Sequence, residues 1–176
     1  NTNQVRTLAQ KFYAKGLNEY ALDTYLESRK KLMSPELFSL DLANLYRLVN
    51  QKEQMVREYL TFANVQQRNA SYVKNTFQRL LVEKEDLDTL EIVLYDLMQE
   101  DVGNVTYTDF LIWTHLQQKN FSAALRQAKS VDRRLKNEGR NSINVGMIAF
   151  VIRIIGQLKG PFLMCYLIFL KGPIKD

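Results

Sequence analysis

Ala9-Gln10-Lys11-Phe12-Tyr13-Ala14-Lys15-Gly16-Leu17-Asn18-Glu19-Tyr20-Ala21-Leu22-Asp23-Thr24-Tyr25 is the stretch whose reading decides the fold. On each side of Gly16 the apolar and small residues fall at intervals of three and four. That spacing lines one face of a helix and no face of a strand. Gly16 stands where a first helix must stop and the chain reverse, because glycine adopts the left-handed conformation of a helix C-terminus at no steric cost. The stretch therefore reads as helix, short turn, helix.

Three further segments repeat this plan. The second holds Ala43, Leu45, Tyr46 and Leu48, then Met55 and Tyr59, with Asn50 at the reversal. The third holds Phe77, Leu80 and Leu81, then Leu87, Leu90, Leu94 and Leu97. The fourth holds Phe110, Leu111 and Leu116, then Phe121, Ala124, Leu125, Ala128 and Val131. Anchored on Ala21, Met55, Leu90 and Ala124, the segments recur at spacings of 34, 35 and 34 residues. A single helix pair cannot bury its own apolar stripe, so such pairs must stack on one another. Expected helix boundaries follow. Ser34-Pro35 reads as an N-cap followed by Pro at the first helical position. Thr106 and Asp109 have capping-box spacing, and Gly103-Asn104 and Glu138-Gly139 mark turns.

Composition agrees with this reading. The chain has 176 residues, 46% of them hydrophobic, with only 7 Gly and 3 Pro, which favours helices over turn-rich sheets. One cysteine, Cys165, and one histidine, His115, exclude a disulfide framework and a structural zinc site within one chain. The net charge is +5, of which residues 151–176 supply +3, so the body to residue 150 is close to balanced. That balance gives weak support to a nucleic-acid partner.

The period and these residues resemble the tetratricopeptide repeat (TPR) family, over roughly residues 3–150. The matching residues are Leu8, Ala9, Phe12, Ala21 and Tyr25, then Leu42, Ala43, Tyr46 and Tyr59, then Leu111, Ala124 and Val131. The usual early Trp is missing, Gln78 and Ile112 stand where a small residue is usual, and Met55 and Leu90 replace Ala. The pattern is similar to the divergent TPR arrays common in Bacteroidota. The resemblance implies an all-α, right-handed superhelical solenoid of four to five antiparallel helix pairs. The expected repeats are 3–34, 35–68, 70–103 and 105–138, with a fifth beginning at 141. The chain starts at Asn1 rather than Met, as a processed product or a fragment does, and with the resemblance this suggests a bacterial protein of the periplasm or cell envelope.

Residues 151–176 break the pattern. The second helix of a fifth repeat should centre near residue 158, where Gly160-Pro161 interrupts, followed by the apolar run Phe162–Leu170. One reading is a lost nucleotide after Phe150. In the shifted frame, suitable codons turn Ile152–Phe162 into N-K-D-Y-R-A-A-K-R-A-F, which matches a TPR second helix. The other is a genuine hydrophobic segment that docks on the last helix or on a membrane. The run is too short to span a bilayer, so membrane contact is expected only if it is genuine.

No sequence motif carries catalysis. There is no Gly-rich phosphate loop and no nucleophile elbow, and His115 lies among apolar residues without a base–nucleophile set. The acidic group Glu83, Glu85, Asp86 and Asp88 reads as helix-start carboxylates. Arg126, Lys129 and Arg133 share one helix face and read as solvated. The expectation is a non-enzymatic protein-binding scaffold with no cofactor and no metal. The alternatives are a nucleic-acid-binding helical repeat, or the N-terminal repeat segment of a larger sensor or enzyme. In TPR proteins the first helix of each repeat lines the concave groove. The resemblance therefore implies groove positions at Arg6, Gln10, Tyr13, Asn44, Arg47, Asn75, Arg79, Asp109, Trp113 and Gln117. Arg with Asn and Gln suits peptide amides and carboxylates, and Tyr13 and Trp113 offer large anchors. Asp41 and Thr76 replace the Asn and basic residue of the chaperone-type carboxylate clamp, so binding of chaperone C-termini is not expected.

Overall fold

A computed structural model describes residues 1–157, with side chains to residue 153. Among these residues it holds nine helices and no strand. They are α1 Thr2–Ala14, α2 Asn18–Leu32, α3 Ser39–Leu48, α4 Lys52–Val65, α5 Asn69–Leu80, α6 Lys84–Glu100, α7 Val105–Gln117, α8 Phe121–Leu135 and α9 Arg140–Gln157. The chain divides into two compact units, residues 1–114 and residues 115–176.

Turns 15–17, 49–51, 81–83 and 118–120 each have three residues, and three of the four are built alike. Gly16, Asn50 and Lys119 hold φ of 75°, 57° and 57°. In each case the following amide donates back five residues: Leu17 to the Phe12 carbonyl, Gln51 to Tyr46 and Asn120 to His115. This is the Schellman arrangement, which satisfies carbonyls a helix end leaves bare. The third turn carries β-branched Val82, a poor resident of the left-handed region. A carboxylate replaces the strained residue: Asp86 Oδ2 accepts from the amides of Val82 and Glu83, both at 3.1 Å. Lys52 of α4 pairs with the other oxygen of Asp86.

Two expected helix starts are corrected. Ser34-Pro35 does not open α3, which begins four residues later at Ser39. Phe38 takes φ 64° and is thereby buried, with its ring 4.9 Å from that of Tyr25. Burying that ring is worth more than the cost of a left-handed residue. Nor does Thr106 cap α7. Asn104 does, its Oδ1 accepting from the Tyr107 amide at 3.1 Å, while Asp109 bonds to Lys74 instead.

In the first unit α1 packs on α2, α3 on both α2 and α4, and α4 on α5 and α6. Ala9, Ala21, Leu22, Tyr25, Phe38, Leu42 and Leu45 close one core. A larger one gathers residues of α3 to α7 around Tyr59, Phe77 and Phe110. The Phe77 ring stands edge-on to Tyr59 at 5.7 Å and to Phe110 at 6.1 Å. Arg29 of α2 ties α4 to the 33–38 loop: it grips Glu58 with two bonds of 2.7 and 2.8 Å and donates to the Leu37 carbonyl at 2.8 Å.

In the second unit α8 packs on α9. Asp132, near the end of α8, reaches the start of α9. It accepts from the amide and side chain of Asn141 and from the amide and hydroxyl of Ser142, at 2.6 to 3.0 Å. Burial pushes its carboxyl pKa up, but the Ser142 and Asn141 hydrogen bonds outweigh this and hold it below the ordinary value. Residues 151–157 continue α9. The readings of Gly160-Pro161 and of the 162–170 run fall outside the described residues.

Candidate functional site

Helices α1 and α3 bring four of the ten sequence-derived groove residues to one pocket. Gln10 and Tyr13 lie one turn apart on α1, and Asn44 and Arg47 one turn apart on α3. With Ala9, Tyr25, Asp41, Leu45 and Leu48 they line a pocket of about 290 Å³. Its floor is apolar and its rim polar, the usual pattern of a site that takes an apolar side chain and orients it.

Electrostatics give the rim its order. Arg6 Nε donates to Asp41 Oδ2 at 3.3 Å, and the Arg6 guanidinium sits 5.4 Å from the Phe38 ring centre. The Tyr25 phenol is pushed up to about 12, by burial first and by the Asp41 carboxylate second, against the opposing Arg6 charge. It is therefore a neutral hydroxyl at physiological pH. Asn44 is less available than its exposure suggests: its Oδ1 accepts from the Tyr59 hydroxyl at 3.1 Å and its amide donates to the Leu40 carbonyl at 3.0 Å. The Tyr59 phenol is raised by burial first and by Tyr72 second, against the opposing charges of Arg47 and Arg79.

The remaining residues distribute as follows. Asn75 and Arg79 are exposed on α5. Asp109 accepts from Lys74 Nζ at 2.6 Å, and that ammonium also lies 5.3 Å from the Phe110 ring centre. Trp113 is half-buried on the larger core, its ring 6.5 Å from Phe110, and serves packing as much as exposure. Gln117 is exposed at the end of α7, in the second unit. Sequence reading passed over Tyr25, Leu45, Leu48 and Asp41 as site residues. Asp41 carried a signal, since it lies 35 residues from Arg6, one period away, with the opposite charge.

The Arg6–Asp41 contact recurs. Lys74 and Asp109 lie 68 residues beyond Arg6 and Asp41, one residue short of the 69 that separate alternate segments, and make the same kind of pair between α5 and α7, with an aromatic ring again beneath the cation. His115 is buried, with Nδ1 3.3 Å from Gln118 Oε1. Among the described residues no group of three or more His, Cys, Asp or Glu could hold a metal ion. Among them, too, no helix is long and apolar enough to cross a membrane. No family model, curated protein or solved structure matches this chain.

Proposed function

We propose that this chain is a non-catalytic protein–protein interaction scaffold, a divergent TPR array wound as a right-handed superhelical solenoid. It holds an extended or helical peptide segment along the first helices of its pairs. The observation that carries this reading is the α1–α3 pocket, where Gln10, Tyr13, Asn44 and Arg47 converge over an apolar floor. The 68-residue recurrence of the Arg6–Asp41 contact supports a repeated architecture. The bound segment places one apolar side chain against Tyr13, Leu45 and Leu48, and Arg47 holds a neighbouring carboxylate or backbone carbonyl.

A peptide library displayed on phage, selected on the intact chain, tests this. Selected peptides are then titrated by fluorescence anisotropy against the parent chain, Tyr13→Ala, Arg47→Ala and the distant surface control Lys84→Ala. Each pocket variant should weaken binding by roughly 5-fold or more, as loss of a residue worth over about 1 kcal/mol requires. Peptides that bind all four proteins equally would place the partner elsewhere and defeat the proposal.

A further inference from the structure

The two units differ in charge far more than the total suggests. Residues 1–114 carry 13 basic and 16 acidic side chains, whereas residues 115–176 carry 11 basic and 3 acidic. In the described part of the second unit, residues 115–153, the ratio is 8 to 2. Of those two acids, Asp132 is consumed in capping α9. Arg126, Lys129 and Arg133 are all exposed on α8.

Beside this row α9 shows an apolar one. Ile143, Met147 and Phe150 are 61%, 63% and 64% exposed and lie four and three residues apart. The two rows face the same way. Asp132 and Ser142 bond to each other and mark the seam between α8 and α9. At roughly 100° per residue, Lys129, Arg133 and Arg126 lie about 60–120° round α8 from Asp132. Ile143, Met147 and Phe150 lie about 80–140° round α9 from Ser142, in the same sense of rotation. The two helices form a hairpin and run antiparallel, so equal senses of rotation bring both rows to one side. Lys129 and Arg133 indeed share a surface pocket with Asp132, Glu138, Gly139 and Ser142, and the exposed Glu138 offsets one of the cations there.

We propose that this face of the α8–α9 hairpin docks on an anionic lipid bilayer. A row of cations beside a row of bulky apolar side chains suits the headgroup–acyl boundary, where the first meets lipid charge and the second enters hydrocarbon. Single-stranded nucleic acid fits less well. It uses aromatic rings as stacking platforms, and two of the three apolar side chains here are aliphatic. The site is separate from the α1–α3 pocket and stands or falls independently of it.

The test is co-sedimentation of the full chain with vesicles of phosphatidylcholine alone, or of phosphatidylcholine with 30% phosphatidylserine. Two surface variants are compared, each checked by circular dichroism for retained helix: Arg126→Gln/Lys129→Gln/Arg133→Gln and Ile143→Ser/Met147→Ser/Phe150→Ser. The parent should prefer the anionic vesicles, and the preference should shrink from 50 to 500 mM salt. The cation variant should lose roughly 100-fold in partitioning to anionic vesicles. The apolar variant should lose binding at either salt concentration. The 162–170 run is common to all three proteins, so binding driven by it would leave both variants unchanged and overturn the proposal. Equal binding to neutral and anionic vesicles would overturn it too. So would tighter binding to poly-uridylate that the cation variant loses and the apolar variant keeps.

Discussion

Breaking the Arg29–Glu58 pair should cost much more than removing it. The two side chains are only 15% and 11% exposed, and the guanidinium meets the carboxylate through two bonds of 2.7 and 2.8 Å. Arg29 also satisfies the Leu37 carbonyl and lies 3.4 Å from the Ser39 hydroxyl. Arg29→Met keeps most of the aliphatic stem but leaves Glu58 as a buried anion without a cation. Stranding one partner of such a pair costs about 3–5 kcal/mol, and the residual exposure here favours the lower end. Arg29→Met/Glu58→Leu removes both charges and fills the same space, and replacements of that kind are close to neutral or stabilising. The expected coupling between the two sites is thus about 2 kcal/mol or more. Urea unfolding followed by the emission of Trp113, the one tryptophan and a member of the same unit, gives the readout. With a slope of about 2 kcal/mol per molar, Arg29→Met should lower the midpoint by about 1.5 M, and the double variant should recover most of it. If Arg29→Met shifts the midpoint by less than about 0.3 M, the pair is a solvated contact. A double variant as unstable as the single one would show that Arg29 acts through Leu37 and Ser39 rather than through Glu58.

Phe77→Ala empties a fully buried site between Tyr59 and Phe110 and should cost about 3–5 kcal/mol, measured by the same urea titration with the slope unchanged. Gly16→Ala meets no atom within 4 Å, so its cost is conformational alone, about 1 kcal/mol for a side chain at φ 75°. A few degrees' fall in Tm should register it. Asp86 is held below its ordinary pKa of 3.8, first by its hydrogen bond from Lys52 and further by the Glu83 and Val82 amides, against the opposing effect of burial. Its contribution is therefore complete above pH 3.8 and lost as pH falls through the lower folded value. Asp86→Asn should be less stable than the parent at pH 7 and should narrow that gap on acidification to pH 2. A gap independent of pH would assign the effect to packing.

The helical class was legible because three-and-four spacing of apolar residues admits no strand, and Gly16 and Asn50 announced turns through their tolerance of positive φ. The start of α3 was not legible. Ser34-Pro35 is a sound local start signal, but it lost to burial of the Phe38 ring against Tyr25, a contact between residues 13 apart. Asn104 likewise took the cap from Thr106 because its side chain reaches the Tyr107 amide. Of the candidate site, Gln10, Tyr13, Asn44 and Arg47 were named from the resemblance to TPR first helices, and the structure brings them to one pocket. Trp113 was named as a large anchor, and its half-burial on the larger core was not legible, since sequence gives the face of a helix and not how deeply its rim is covered. The cationic row on α8 was read as a solvated face, and the structure does expose it. Its weight depends on which helix lies beside it, and the exposed Ile143, Met147 and Phe150 emerge only once α8 and α9 are paired.

The twin contacts Arg6–Asp41 and Lys74–Asp109 have a bearing on how this chain could go wrong. Both are partly exposed, so each contributes at most about 1 kcal/mol. Their value lies in counting. One period on from Arg6 stands Leu40, and one period on from Asp41, at the 35-residue spacing of the second and third segments, stands Thr76, so helices displaced by a single pair find no partner for their charge. Displacement by two pairs sets Arg6 against Asp109 or Lys74 against Asp41 and keeps the signs matched. On the proposed repeat architecture, the alternation would work as a phase mark. It discriminates against the nearest misregistered neighbour, and it leaves exchange between two copies, offset by 68 residues, as the mispairing to look for at high concentration.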